Sequence, residues 1–418
     1  MAAIARKPIL TLARVSSLLL GQALLRASIP FRIFEKDASI QFRAQGYRLR
    51  LSSAGLDAIE SVLGPDGFQK FWDVCGKTGG VGFSAIDAIT GEPLEDALPS
   101  YASTEKKADG APEAAAAKIR ETLVSRGGLV VGISRGDMRR IFLEGCESSV
   151  EWGRQVTGYE LTETGVVAIF ADGSKSIEGE LLVGGEGLYS SVAEQLSGGA
   201  LKVYDTGARG IHGQAPTTAF KGLGEGVWRV ADSTRPNGNV FIITNIRPGD
   251  KDDESLEFGW TMGAQPGVIQ PPNDDYTITG APAAKIAKSL TENWHPRLKP
   301  LFEQMVESEA AFWKITCSTP AGVPEWKNQP RVTVIGDAAH SMTPAGGIGA
   351  NTAVRDSALL GKLLAETGGY SDGVTAAYEK VMRVYASEAV GISYGLATSQ
   401  FGITIDENTP TIRRSYRV

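Results

Sequence analysis

Residues 331–364, RVTVIGDAAHSMTPAGGIGANTAVRDSALLGKLL, decide the fold of this chain. Residues 332–335 form a short apolar run rich in β-branched side chains, which is typical of a strand covered on both faces. Asp337 follows, so we expect a carboxylate where that strand stops. The segment PAGGIGA at 344–350 then predicts a turn with little side-chain bulk, where the main chain can approach a flat ring or a phosphate at the start of a helix. This order of elements predicts a cofactor site.

The same segment resembles the second flavin motif of the FAD-dependent aromatic hydroxylases. This monooxygenase family includes para-hydroxybenzoate hydroxylase and many fungal secondary-metabolite oxygenases. The resemblance implies that Asp337 holds the ribityl chain of FAD and that Gly346, Gly347, Gly349 and Ala350 line the isoalloxazine ring. Taken alone, the segment also fits an ordinary strand-turn-helix crossover with a tight glycine turn.

The beginning of the chain predicts a strand-helix-strand unit, with strands at 8–12 and 30–35 around a helix at 16–27. Glu35 ends the second strand, where dinucleotide-binding folds keep an acidic residue for ribose hydroxyls. A solvated charge at a strand end is the alternative for Glu35. The basic residues within 1–34 superficially suit a transit peptide. We expect the strand-helix-strand unit instead, because the second strand would be wasted in a removable leader.

The turn after the first strand lacks the GxGxxG loop of the flavin family. Ala13, Arg14, Val15, Ser16 and Ser17 stand there instead. The glycines of that loop allow a tight turn, close approach of the main chain to the pyrophosphate, and close packing of helix on strand. Side chains at these positions add Cβ atoms in the space that a phosphate would occupy. A local error in the sequence, such as a mis-assigned splice junction, is one explanation that stays open.

The segment VGISRGDMRRIFLEGC at 131–146 reads as a strand, an arginine and an amphipathic helix. It resembles the family segment in which an arginine reaches the pyrophosphate or ribityl region of FAD, and this implies that role for Arg135. Arg139 and Arg140 lie one helical turn further along, and we expect both to be solvated.

Two further segments resemble the family. After the second strand, Arg43, Gly46 and Arg48 occupy the positions of a small-residue loop that lies against the flavin; surface arginines on an amphipathic strand are the alternative for the two arginines. The segment GGEGLYSSVAEQL at 184–196 takes the place of the family's middle motif. There Gly187 and Ser190 match, whereas Glu186 replaces the usual Asp and Ala193 replaces the usual Arg. The longer Glu side chain shifts its carboxylate by about 1.5 Å, and the lost Arg removes a positive anchor.

Residues 201–320 change in character to strand-like segments interspersed with tryptophans, which predicts a sheet-based substrate domain with an apolar, aromatic wall. His212, near the start of this region, is a candidate catalytic residue facing the flavin ring, and a purely structural histidine is the alternative. Residues 85–125, rich in Ala, Pro, Lys and Glu, predict a surface insertion.

Together these features predict an α/β fold with a Rossmann-like FAD-binding domain, an inserted substrate domain and a C-terminal helix. The expected boundaries are 1–200 and 321–372 for the two parts of the FAD-binding domain, 201–320 for the substrate domain, and 373–418 for a C-terminal helical segment with its helix at 373–400.

Composition places the chain among ordinary globular proteins, with 418 residues, 42% hydrophobic and 22% charged. The net charge of −6 and the absence of a basic stripe argue against nucleic acid as a partner. Cys75, Cys146 and Cys317 are dispersed, as are the three histidines, so we expect no metal site and free thiols in a reducing, cytoplasmic compartment. No run approaches the roughly 20 apolar residues of a membrane span.

The resemblance implies a reaction in which NADPH reduces FAD, O2 adds to the reduced ring at C4a, and the flavin hydroperoxide delivers oxygen to an aromatic ring or alkene. The expected substrate is a small, apolar secondary metabolite such as a polyketide or terpenoid. The cofactor carries most of this chemistry. The alternative function is a flavin-free descendant that works on the same scaffold as an isomerase, a cyclase or a ligand-binding protein.

Overall fold

A computed structural model of the protein describes residues 6–12, 15–40, 48–79, 83–94, 125–247, 249–270 and 278–412. The strands are β1 (Ile9–Leu12), β2 (Phe31–Glu35), β3 (Arg48–Leu51), β4 (Gly76–Gly79), β5 (Phe83–Asp87), β6 (Leu129–Ser134), β7 (Val150–Trp152), β8 (Val156–Leu161), β9 (Val166–Phe170), β10 (Leu181–Gly184), β11 (Val203–Pro216), β12 (Gly226–Asp232), β13 (Val240–Ile246), β14 (Glu257–Ala264), β15 (Ala311–Ser318) and β16 (Val332–Val334). The α-helices are α1 (Val15–Arg26), α2 (Ser53–Val74), α3 (Arg135–Leu143), α4 (Ser191–Ser197), α5 (Ala281–Leu290), α6 (Pro300–Glu303), α7 (Asp337–His340), α8 (Gly349–Glu366) and α9 (Val374–Phe401).

A five-stranded parallel sheet has the order β16-β10-β1-β2-β7. Every residue of β1 and β10 is buried, as expected for strands covered by helices on both faces. The first three elements form the predicted strand-helix-strand unit. Helix α1 packs against α8, the helix that follows the glycine turn. The predicted α/β, Rossmann-like fold class is confirmed.

A six-stranded sheet has the order β15-β11-β14-β13-β12-β5, and its pairs are antiparallel except for β5 with β12. Strand β5 falls within the stretch predicted to be a surface insertion, so that prediction was wrong for residues 85–87. The strand is incorporated because Ala85 and Ile86 are buried and pair in register with β12. Residues 95–124 of the predicted insertion lie outside the described residues.

The two faces of the six-stranded sheet have different neighbours. One face buries Ile211, Trp260 and Met262 in a core that also contains residues of α5 and α6. On the other face, the ring of Phe241 lies 5.2 Å from the ring of Phe401 in α9. Two of the tryptophans in this region, Trp260 and Trp294, are fully buried core residues.

A three-stranded antiparallel sheet, β3-β6-β4, lies between the two larger sheets. The hydroxyl of Thr78 in β4 donates a hydrogen bond to the Asn245 side chain in β13 at 3.0 Å. Helix α9 packs against both of the larger sheets. Tyr378 and Met382 lie in the core of the parallel sheet, and Ala397 packs beside the six-stranded sheet. Among the described residues, no helix combines the length and the apolar character needed to cross a membrane.

Candidate functional site

The carboxyl ends of the parallel strands meet at one edge of the five-stranded sheet. Strand β1 ends at Leu12, β2 at Glu35, β10 at Gly184, and β16 leads through Ile335 into Asp337. The backbone N–H of Ile335 donates to the carbonyl of Gly184, so the loops after β10 and β16 begin side by side. Open α/β sheets bind their ligands in the crevice outside this edge.

Asp337 is placed by a sharp turn after β16. Gly336 has φ of 62°, a conformation that favours glycine, and Asp337 begins the short helix α7 directly after it. The Gly336 N–H donates to Asp356 of α8 at 2.6 Å. Because the hydrogen bond to Asp356 fixes the turn, the partly buried Asp337 carboxylate is held at the sheet edge. There it can accept hydrogen bonds from hydroxyl groups.

A buried polar network supports this turn. Nε2 of His340 lies 2.6 Å from Asp356, and the Tyr385 hydroxyl donates to the other oxygen of the same carboxylate at 2.6 Å. Burial lowers the pKa of His340, but the facing Asp356 carboxylate outweighs it, and the pKa lies above its ordinary value. The pKa of Tyr385 is raised by burial and then by Asp356. This network was not predicted from the sequence.

The glycine turn before α8 is held against β3. Gly346 and Gly347 have φ of 79° and 61°, so both need the conformational freedom of glycine. The guanidinium of Arg50 donates to the Gly346 carbonyl, and the Asn351 side chain donates to the carbonyls of Gly347 at 2.8 Å and of Arg50 at 2.9 Å. Arg50 was missed by the sequence analysis, which singled out Arg48 from the same strand.

Gly349 and Ala350 begin α8. A Cβ on Gly349 would lie 3.8 Å from Met342, an ordinary contact, so this glycine is not required by close packing among the described residues. Gly46, the remaining glycine assigned to the cofactor, lies outside the described residues, as does Arg43.

Glu35 is buried at the end of β2 and contacts an arginine from α3. One carboxylate oxygen accepts from the Asp37 N–H at 3.0 Å, and the Arg139 guanidinium lies 3.6 Å from the other. Arg139 also lies 3.8 Å from the Asp37 carboxylate, and only 1% of its side chain is exposed. The prediction that Arg139 is solvated was therefore wrong. It was right for Arg140, whose side chain is 64% exposed.

Arg135 is the first residue of α3 and is partly buried. The preceding Ser134 caps the helix, since its hydroxyl accepts from the Asp137 N–H at 2.9 Å. Arg135 therefore projects from a helix start that lies next to the end of β6. His212 lies in the middle of β11 and is buried, and a Cβ on Gly259 of the neighbouring strand would come 3.1 Å from its ring.

The altered first loop is accommodated by glycines on its neighbours. Residues 13 and 14 lie outside the described residues, and α1 begins at Val15 with no acidic side chain in its first turn. Ser16 and Ser17 are buried. A Cβ on Gly185 would lie 2.2 Å from the Ser17 hydroxyl, and one on Gly336 would lie 3.1 Å from the Ser16 hydroxyl. The two serines therefore fit because the adjoining turns carry glycine.

The middle motif uses its longer acidic side chain as a helix cap. Glu186 accepts a hydrogen bond from the Val192 N–H at 3.1 Å, and Ser190 accepts from the Ala193 N–H at 2.9 Å. Both bonds satisfy the first turn of α4. The second oxygen of Glu186 is buried and has no hydrogen-bond partner within the described part of the chain.

A cavity of about 790 Å³ opens between the three-stranded and six-stranded sheets. Arg48 and Ser134 of the three-stranded sheet and Arg140 of α3 line one side, and Gln214 and Arg247 line the side of the six-stranded sheet. Among the described residues, no group of three or more His, Cys, Asp or Glu side chains could hold a metal ion.

The parallel sheet, its strand-end carboxylates and its glycine turn define a nucleotide-cofactor protein of the α/β class. Residues 141–391 match the family model described as FAD binding domain. That match covers more than half of the chain, so the chain belongs to this family, and the resemblance to monooxygenases of the para-hydroxybenzoate hydroxylase type is confirmed.

Fungal proteins are among its relatives. A dual O-methyltransferase/FAD-dependent monooxygenase from Phaeosphaeria nodorum is 30% identical over 398 residues, which are 85% of this chain and 40% of that protein. A protein of the same description from Cercospora beticola is 26% identical over 421 residues, covering 93% of this chain and 46% of that protein. The chain thus spans less than half the length of these two curated relatives.

Solved structures share the fold. The 2,6-dihydroxypyridine-3-hydroxylase from Arthrobacter nicotinovorans superposes with a TM-score of 0.68, at 15% identity and over 98% of this chain and 96% of that chain. At this level of identity the likeness concerns the fold alone.

Proposed function

We propose that this chain is an FAD-dependent monooxygenase that uses NADPH and O2 to hydroxylate or epoxidise a small secondary metabolite of polyketide or terpenoid type. The observation that carries the proposal is the connection between β16 and α8. There Asp337 lies at the strand end, and Gly346 and Gly347 form a positive-φ turn braced by Arg50. Family membership supports the same activity.

Residues at the sheet edge are suited to contact three parts of FAD, namely the ribityl chain, the adenosine ribose and the flat ring. Asp337 would accept hydrogen bonds from the ribityl hydroxyls, and Glu35 would accept them from the adenosine ribose. The glycine turn offers main chain without side-chain bulk to the flat ring. The second oxygen of Glu186 is a buried acceptor that a cofactor hydroxyl would satisfy. Arg135, at the start of α3, would face the pyrophosphate or ribityl region.

The segment that would contact the FAD pyrophosphate, the loop before α1, is the one that departs from the family sequence. The first turn of α1 still presents a helix N-terminus with no acidic side chain, which favours an anion. Ser16 and Ser17 stand where the family has glycines, so the main chain is less free to approach a phosphate. Losing about 4 kcal/mol of these contacts would weaken a nanomolar cofactor to the micromolar range. We therefore expect occupancy to depend on the concentration of free FAD.

Bound FAD supplies the electron transfer and the oxygen chemistry. The protein's own residues bind and orient the cofactor and exclude water from the reacting centre. Ala345 and Ile348 of the glycine turn belong to the same buried cluster as Phe241 and Ile315 of the six-stranded sheet. We propose His212 as the catalytic residue, because its buried ring lies where a side chain on Gly259 would point, and Gly259 lines the cavity.

The flavin-free alternative predicts a colourless protein that ignores added FAD yet binds or converts a metabolite. The features suited to a flavin, which are a positive-φ glycine turn and an acid at each of two strand ends, would then hold no flavin. Its support is the altered loop together with Glu186 and Ala193 in the middle motif. Packing against Gly185 and Gly336 accommodates the loop within the fold, and Glu186 caps α4. We therefore favour the monooxygenase.

Visible absorbance of the purified protein, followed by titration with FAD, tests the proposal. A flavin spectrum that saturates with FAD, together with NADPH-dependent oxygen uptake, is the expected result. Absence of binding at high FAD concentration would overturn it. Resequencing the transcript across residues 10–18 tests whether the altered loop is a sequence error. A glycine-rich loop in the new sequence would show that it is.

A further inference from the structure

The Asp356 carboxylate of α8 contacts three polar groups that come from other elements. One of its oxygens accepts from the Gly336 N–H at 2.6 Å and lies 2.6 Å from Nε2 of His340. The other oxygen accepts from the Tyr385 hydroxyl of α9 at 2.6 Å. Asp356 is fully buried, and hydrogen bonds to an ionised group are roughly twice as strong as those between neutral groups. This carboxylate therefore fixes the turn after β16 relative to α8 and α9.

Gly336 is held through both of its main-chain polar groups. Its N–H donates to Asp356, and its carbonyl accepts from the backbone N–H groups of Ala339 at 2.9 Å and of His340 at 3.0 Å. Its φ of 62° makes the turn a sharp one. Asp337 follows directly, so the direction in which its carboxylate points depends on the orientation of the Gly336 peptide. Of the bonds that fix this peptide, the one to Asp356 comes from a side chain of another helix.

Tyr385 supports the Asp356 carboxylate from the side opposite Gly336. The Arg355 guanidinium lies over the Tyr385 ring, 4.2 Å from its centroid, and this contact does not involve the hydroxyl. Removing the hydroxyl alone would leave one oxygen of a fully buried carboxylate without its donor, which is unfavourable. The carboxylate would then be free to rotate away from the Gly336 N–H. The hydroxyl of Tyr385 therefore acts on the turn through Asp356.

We propose that Asp356 and Tyr385 are positioning residues for FAD, which hold the Asp337 carboxylate in place for the ribityl chain through the Gly336 turn. The inference rests on the proposed monooxygenase function, and it assigns to α9 a part in cofactor binding. A binding group is effective only when the groups behind it fix its geometry. Neither Asp356 nor Tyr385 contacts the cofactor in this proposal. Their effect on FAD affinity therefore depends on the presence of the Asp337 carboxylate.

A double-mutant cycle followed by FAD titration tests this dependence. Tyr385→Phe is expected to weaken FAD binding about three- to tenfold in the parent protein, and by no more than about twofold in the Asp337→Ala background. Asp356→Asn keeps the shape of the side chain and should show the same pattern. Tyr378→Phe is the matched control, because Tyr378 is a buried tyrosine of the same helix whose hydroxyl donates to the Val334 carbonyl. Its FAD affinity should stay within about twofold of the parent.

Equal losses of affinity with and without Asp337 would overturn the proposal, because they would show that the network only stabilises the fold around the site. Unchanged affinity in both Tyr385→Phe and Asp356→Asn would overturn it as well. Urea unfolding identifies a variant that does not fold, and the other variant then decides the result. A parent protein that does not bind FAD would overturn the proposed function together with this inference. A parent that binds FAD and shows additive losses would overturn this inference alone.

Discussion

The hydroxyl of Ser17 occupies the space that a side chain on Gly185 would need, since a Cβ there would lie 2.2 Å from its Oγ and 2.7 Å from the Leu12 carbonyl oxygen. Ser17 is buried and donates a hydrogen bond to that carbonyl. Side-chain volume on α1 is thus matched by a missing side chain on the loop after β10. The helix can pack on the parallel sheet although serines replace loop glycines.

Gly185→Ala is expected to destabilise the protein by about 1–3 kcal/mol, because its Cβ has no space beside Ser17 and the Leu12 carbonyl. Urea unfolding of the purified variant measures the change. Gly391→Ala is the control, since a Cβ at that position in α9 meets nothing within 4 Å; it should be neutral or slightly stabilising. Equal stability of the two variants would contradict the packing relationship.

Asp337→Ala is expected to weaken FAD binding by roughly tenfold to a hundredfold, the cost of losing a hydrogen bond to a carboxylate of about 1.5–3 kcal/mol. The titration is followed by flavin fluorescence. Asp372→Ala, at an exposed site beside Tyr370, serves as the control and should bind FAD like the parent. Unchanged affinity in the Asp337 variant would count against the cofactor assignment.

His212→Ala is expected to leave FAD bound and to lower turnover only. The reason is its position on the six-stranded sheet beside Gly259, away from the strand ends that hold the cofactor in our proposal. Flavin content and NADPH-dependent oxygen uptake are measured on the same sample. Loss of flavin together with activity would show a structural role for this histidine instead.

Arg139→Met is expected to destabilise the protein by about 3 kcal/mol or more, because it leaves Glu35 and Asp37 as buried carboxylates without their cation. Denaturant unfolding gives the free energy. Arg140→Met, on the exposed face of the same helix, should change stability by no more than about 0.5 kcal/mol. Similar values for the two variants would show that the Glu35 contact carries no stabilising energy.

His340 is expected to make stability depend on pH. Its pKa is raised in the folded protein by Asp356, so its contribution is fully present below the unfolded pKa of about 6.5 and is lost as pH rises through the higher folded value. The unfolding free energy of the parent relative to His340→Gln should therefore fall as the pH is raised above neutral. A difference that is constant with pH, or that grows, would contradict the assignment of a charged histidine.

Local pattern predicted much of the framework. The helix α1 and the strands on either side of it lie within one or two residues of their expected bounds, and helix α9, Val374–Phe401, corresponds to the one expected at 373–400. These elements are recognisable because apolar periodicity and glycine punctuation act over a few neighbouring residues. Asp337 at a strand end and the glycine turn after it were visible for the same reason.

Contacts between distant parts of the chain were not predictable in this way. Arg139 read as a solvated helix residue because its partners, Glu35 and Asp37, lie about a hundred residues earlier on another element. Strand β5 looked like part of an insertion because its partner, β12, follows far downstream. Whether a charged side chain or a short strand is buried depends on the residues that pack against it. Those partners are distant in the chain and cannot be identified from a single sequence.

The sequence by itself determined the fold class, the strand-end carboxylates Glu35 and Asp337, and the departure of the first loop from its family. Tertiary structure alone decided how that loop is tolerated, because the space for Ser17 is created by Gly185 on another loop. It also decided that Arg48 and Arg247 share one cleft, since their strands lie about 200 residues apart and only sheet packing brings two like charges together.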